Sequence, residues 1–177
     1  MLKFSAALLC AVTLIGQPLA SLSLSGRRAP SFSLPDSSLR QHDILDYRGK
    51  WLLLDFMKTD CPHCMALSKV MEEIHTQFGA KVALLSVVIA PPDNQQTVAK
   101  YVAQTGAKST TIVFDQGQMA VSYFKATPAN PGFDTPHLFI IDPNGMIVKD
   151  IGQSPVLEDS SLIKVLEQVM GSKAAAK

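Results

Sequence analysis

Apolar runs that alternate with helix-period segments predict an α/β protein, a central mixed sheet flanked by helices on both faces. Two of those runs, residues 51–56 and 82–90, are apolar almost without interruption, as strands buried on both faces are. A late pair of apolar segments around Asp142-Pro143-Asn144-Gly145 reads as a hairpin.

The elements follow in chain order. Residues 31–34 alternate in polarity, and Pro35-Asp36 marks a turn. Ile44-Leu45-Asp46-Tyr47 leads into a second turn at Arg48-Gly49-Lys50. Residues 51–56 are the first buried strand. Residues 62–78 read as a helix, with Met65, Leu67, Val70, Met71, Ile74 and Phe78 roughly on one side and Gly79 ending it. Residues 82–90 are the second buried strand. Asp93 is placed to cap a helix that runs to Gln104 and stops at Gly106. Residues 110–114 are a strand, 118–124 a short helix, and 127–135 a loop rich in Pro and Gly. Residues 137–141 and 146–151 form the hairpin. A last helix spans about residues 157–170, and the tail from Gly171 is expected to fray.

At 177 residues the chain holds one domain, expected over 26–172, between a leader at 1–25 and a short tail at 173–177. That length buries a core without disulfide staples. A hydrophobic content of 47% and a net charge of +1 describe an ordinary globular protein and argue against nucleic acid as a partner. The leader reads as an export signal. Lys3 supplies a positive start, and residues 4–15 are an apolar stretch too short for an ordinary membrane span. Small residues follow, with cleavage expected between Gly16 and Ser25; an uncleaved anchor is the alternative. Cys10 follows Leu8-Leu9 rather than small residues, which disfavours a lipid-modified cysteine. Either outcome puts the domain in a periplasmic or other extracytoplasmic, oxidising compartment, where paired cysteines are a working dithiol or a disulfide.

The chemistry centres on Cys61-Pro62-His63-Cys64. A strand delivers Cys61 to a helix N-terminus, where unpaired N–H groups and the helix dipole favour a thiolate, the attacking form. A spacing of three residues puts Cys64 one turn later on the same face. Pro62 suits the first turn because the N–H it lacks had no partner. His63, when protonated, adds positive charge beside Cys61. A lone CxxC also fits a structural disulfide or half of a zinc site. The latter needs a second CxxC or a paired-His motif, and His42, His63, His75 and His137 supply none.

The stretch from Asp46 through Trp51 to Cys64 resembles the thioredoxin-like redoxin group, which includes the AhpC/TSA domain and the TlpA/ResA thiol–disulfide oxidoreductases. The ending Thr135-Pro136-His137-Leu138-Phe139-Ile140-Ile141-Asp142-Pro143-Asn144-Gly145 resembles that group's cis-proline loop and hairpin, so the likeness covers about residues 30–170. Pro62-His63 is the dipeptide of the DsbA oxidases, without the large helical insertion of that plan. The resemblance implies a thioredoxin-like fold and an enzyme that exchanges disulfides with protein disulfide or dithiol partners, without a cofactor or metal. It also leaves room for a membrane redox partner; a monomer is expected. Cys61 is then the nucleophile that forms the mixed disulfide, and Cys64 the thiol that resolves it. Asp55, six residues before Cys61, matches thioredoxin's buried acid and would exchange a proton with Cys64. Many TlpA relatives carry a neutral residue there. Pro136 would be cis, with the Thr135 backbone offered to an extended substrate.

His137, Met65 and Trp51 each read more simply as packing residues. Two other functions share the fold. A Sco-like copper protein would use both cysteines and a histidine near His137, but that family places three residues between its cysteines, and here there are two. A thiol peroxidase needs Thr-x-x-Cys, and Thr59-Asp60-Cys61 is one residue short. The direction of electron flow is not legible: export and Pro62-His63 favour an oxidant, the TlpA-like plan a reductant.

Overall fold

In the computed structural model the described residues are 23–129 and 132–175. The leader expected at residues 1–25 falls almost wholly outside them. Among the described residues, no helix is long and apolar enough to cross a membrane.

Two short antiparallel strands, β1 (Ser33–Pro35) and β2 (Gln41–Asp43), precede a 3-10 turn at Ile44–Tyr47. The main sheet is built from β3 (Trp51–Met57), β4 (Val82–Ile89), β5 (Thr111–Asp115), β6 (His137–Ile141) and β7 (Ile147–Ile151), in the order β5-β4-β3-β6-β7. β3 runs parallel to β4, and β4 to β5, through the helical crossovers α1 (Pro62–Phe78) and α2 (Gln95–Thr105). α3 (Gln118–Phe124) follows β5. β6 and β7 are the predicted hairpin, and β6 pairs antiparallel to β3, which makes the sheet mixed.

β3 is buried along its whole length, as its nearly unbroken apolar sequence requires, with Asp55 the single polar side chain in it. Its side chains alternate between two cores. Leu52, Leu54 and Phe56 face one side with Phe139, Ile141, Met119 and Tyr123. Leu53 faces the other, with Leu67, Met71 and Ile74 of α1. The first core ends in an aromatic cluster: Phe56 meets Phe124, Phe133 and Phe139 edge-on, at centroid distances of 4.8, 5.7 and 6.0 Å.

Three boundaries differ from the sequence pattern. The cap of α2 is Asn94, whose side chain accepts from the N–H groups of Gln96 and Thr97; Asp93 is turned elsewhere. The last helix, α4 (Ser161–Ala175), starts later than the pattern suggests, because Pro155–Leu157 closes a separate 3-10 turn and Asp159 then accepts from the Ser161 N–H at 2.7 Å. α4 also runs through Gly171 into the stretch expected to fray, and Lys173 on its last turn pairs with buried Asp142 at 2.9 Å. Burial alone would raise the Asp142 carboxyl, but the Met146 N–H, Lys173 and the Asn144 N–H outweigh it and hold it below its ordinary value.

Candidate active site

β3 ends at Met57, and four residues later Cys61 caps the N-terminus of α1 in an extended conformation. Its Sγ accepts from the Cys64 N–H at 3.2 Å, so one of the helix's orphan donors already points at this sulfur. Pro62 occupies the first helical turn, as its missing N–H allows. Cys61 and Cys64 form a disulfide with their Cα atoms 5.2 Å apart. Cys61 is partly exposed, whereas Cys64 is fully buried.

The hairpin brings the second motif to the first. Phe56 of β3 stands opposite His137 of β6, which sets the residues before His137 beside the loop that carries Cys61. The Thr135–Pro136 bond is cis, and the Thr135 carbonyl oxygen lies 3.9 Å from Cys61 Sγ. Pro136 is buried and Thr135 half-buried. Residues 74 positions apart in the chain thus share one surface.

Asp55 lies in the middle of β3, between Ser86 of β4 and Leu138 of β6. The strand's alternation puts it on the same face as Leu53 and Met57, the face that carries α1 and Cys64. Burial pushes its carboxyl up to about 7, against the opposing effect of the Ser86 hydroxyl, which donates at 3.3 Å. Its Oδ1 has no hydrogen-bond partner. A buried carboxyl poised near neutrality can carry a proton to or from a neighbouring thiol. Tyr101 of α2 closes this side: its hydroxyl donates to the Cys64 carbonyl at 2.9 Å, and burial and the nearby Asp55 raise it well above its ordinary range.

His63 is exposed, and its ring does not stand as a free cation beside Cys61. Its Nδ1 lies 2.9 Å from Glu158 Oε1, in the segment between the last 3-10 turn and α4. Sequence reading missed Glu158, since a contact across 95 residues leaves no local signal. It also missed what Asp93 does. That buried carboxylate takes the Thr59 hydroxyl and, at 3.0 Å, the Thr97 hydroxyl, and so ties the loop before Cys61 to the start of α2. Beside the cysteines, Thr59, Asp60, Met65, Lys100, Tyr101 and Gln104 line an open cleft of about 300 Å³.

The remaining candidates are packing residues, as expected. Trp51 is buried against the α1 side of the sheet, and Met65 packs at the edge of the Cys64 cluster. His137 meets Phe124 edge-on and Phe139 at a tilt, and its Nε2 lies 2.7 Å from Asp150 Oδ1. The histidine that copper handling would need is therefore engaged by a carboxylate. Among the described residues, no three metal-ligating side chains gather.

The AhpC/TSA family profile matches residues 25–150. The chain belongs to that family. It is 30% identical over 135 residues to the thiol-disulfide oxidoreductase ResA of Geobacillus thermodenitrificans, covering 76% of this chain and 72% of the relative. It is 25% identical over 122 residues to the thioredoxin-like protein YneN of Bacillus subtilis, covering 69% of this chain and 68% of that one. Among solved structures it resembles a DsbE thiol:disulfide interchange protein from Chlorobium tepidum, with a TM-score of 0.65, 22% identity, and coverage of 81% of this chain and 96% of that one. The thioredoxin domain of a thiol-disulfide oxidoreductase from Bacteroides vulgatus superposes with a TM-score of 0.63 at 18% identity, covering 80% and 96%. Both show a thioredoxin-like fold. With its cysteine pair, this member of the family is a thiol–disulfide oxidoreductase.

Proposed function

We propose that the protein exchanges disulfides with protein partners outside the cytoplasm, through Cys61 as nucleophile and Cys64 as resolving thiol. The observation that carries this reading is the asymmetry of the pair. One sulfur is partly exposed at a helix N-terminus beside the Thr135 carbonyl, and the other is buried, on the face of the sheet that Asp55 shares. A substrate strand laid along the Thr135–Pro136 loop would pair with backbone there while its own sulfur meets Cys61. Attack by the Cys61 thiolate on a substrate disulfide forms the mixed disulfide and releases one substrate thiolate. Attack by Cys64 on Cys61 Sγ then frees the second and closes the ring. Asp55 takes the Cys64 proton during that second step. The reverse sequence oxidises a dithiol substrate.

The extracytoplasmic setting is supported by the apolar leader at residues 4–15. The deciding experiment is a trap in the compartment of export. Cys64→Ser should accumulate covalent adducts with protein substrates, and Cys61→Ser should accumulate none. Adducts on Cys61→Ser alone would reverse the roles, and adducts on neither would leave the pair a structural disulfide.

A further inference from the structure

The end of the sheet remote from the cysteines carries a feature that disulfide exchange does not use. β3 starts there at Trp51, and its seven residues set that end about 20 Å from the loop that carries Cys61. Three clefts open on this pole and share walls. Lys50 lines the first and second, Trp51, Pro143 and Met170 line the second and third, and Asp142 lines the first and third. Their cations are Arg28, Arg48, Lys50, Lys81 and Lys173. Their one carboxylate, Asp142, is buried and taken by Lys173.

Arg48, Lys50 and Lys81 form no ion pair among the described residues, and the Arg28 guanidinium reaches only the Asn144 carbonyl, at 3.0 Å. The nearest carboxylate on the turn, Asp46, points back to the Asp43 N–H. The other end is mixed in charge, with Asp60 next to Cys61 and Glu158 and Asp159 before α4, but with Lys58 and Lys100 among them. A net charge of +1 thus hides a chain with a cationic pole. The floor between the cations is apolar: Ile44, Leu52 and Ile141 line the first cleft, and Leu45 stands 60% exposed at its rim.

Unpaired cations around an exposed aliphatic side chain are the complement of an anionic bilayer surface, where phosphates meet the guanidinium and ammonium groups and Leu45 enters the headgroup layer. We infer that this pole is a docking face for anionic lipid headgroups. It would hold the domain on a membrane surface with Cys61 turned away from the bilayer and open to protein substrates. The inference does not depend on which cysteine attacks.

The test uses the full chain with vesicles of phosphatidylcholine, alone or with one-third phosphatidylglycerol. Any pull from the apolar run at residues 4–15 is common to both lipids, so the readout is the difference between the two. Anionic vesicles should retain more protein, salt should remove the excess, and hydrogen exchange of Ile44–Tyr47 and the following turn should slow on anionic vesicles alone. Arg48→Glu with Lys50→Glu should weaken the excess binding on the order of tenfold or more. Reduction of a small disulfide should be unchanged. Equal retention on both lipids, or an unaffected double variant, overturns the inference. So does binding to heparin through the same residues as tightly as to the vesicles, which would mark a soluble polyanion as the partner.

Discussion

Glu158 Oε1 lies 2.9 Å from His63 Nδ1, so the one residue of the Cys61–Cys64 loop able to carry positive charge arrives with its counter-charge attached. Read from sequence, His63 favours an oxidant, because a cation beside a thiolate stabilises the reduced form. The pair removes much of that bias.

The pair predicts opposite shifts for its two members. Removing Glu158 leaves a bare imidazolium near Cys61 and should raise the reduction potential. Removing His63 leaves a bare carboxylate and should lower it. Both side chains are substantially exposed, so solvent screens the effect. An exposed pair worth about 0.5–1 kcal/mol corresponds to about 10–20 mV for a two-electron couple. Equilibration with glutathione measures Glu158→Gln and His63→Ala against the parent. A fall on Glu158→Gln would remove the pair from the account of the potential.

Cys61 should outpace Cys64 toward alkylating agents. Its sulfur is partly exposed and accepts the Cys64 N–H at the start of α1, whereas Cys64 is buried. Iodoacetamide at mildly acidic pH on the reduced protein should label Cys61 first, read by mass spectrometry of the peptides. Equal labelling would mean that the helix terminus confers no advantage.

Asp55 makes stability depend on pH in a stated direction. Its folded carboxyl sits near 7 through burial, against an ordinary value of 3.8 in the unfolded chain. The folded state therefore holds a proton that the unfolded state has released between those values. The contribution is full below pH 4, declines as pH rises through 7, and above that leaves a buried charge. Asp55→Asn should stabilise the oxidised protein by up to about 2–4 kcal/mol at pH 8, with the gain shrinking toward pH 4. Urea unfolding at the two pH values measures it. The same variant should slow release of the mixed disulfide, since Cys64 loses its proton acceptor. A gain that is equal at both pH values would place the effect in packing rather than in charge.

Much of this architecture is legible in the sequence, because the relevant signals are local. Near-continuous apolarity, interrupted only at Asp55 and Ser86, marks β3 and β4, the capping turn at Cys61-Pro62 starts α1, and Gly79 and Gly106 end helices with positive φ. The Cys61 loop and Thr135-Pro136 are legible as motifs, and their meeting follows from the pairing of β3 with β6. The rest depends on distant side chains. Glu158 reaches His63 and Lys173 reaches Asp142 only after the chain has folded. Asp93 fails differently: two neighbouring residues could cap α2, and Asn94 takes that role because Asp93 has a buried partner in Thr59.

Asp93 should then be worth more than a helix cap. Its carboxylate is buried, receives the hydroxyls of Thr59 and Thr97, and faces the Thr59 N–H at 3.4 Å. Deleting it leaves the Thr59 hydroxyl without its acceptor, while Thr97 keeps the Asn94 carbonyl at 3.0 Å, at a cost of about 1–3 kcal/mol. Asp93→Ala should lower the urea midpoint without changing the slope. Thr59→Val removes one hydroxyl but keeps the acid paired with Thr97, and should cost about 1 kcal/mol. The loop consequence is separable from stability. Thr59 sits two residues before Cys61, so losing its tether should let the nucleophile wander relative to Thr135. Exchange with protein disulfides, which needs both elements at once, should then slow more than reaction with a small disulfide under conditions where the variant is fully folded. A uniform loss toward both substrates would reduce Asp93 to a stabiliser of α2 and detach it from the redox centre.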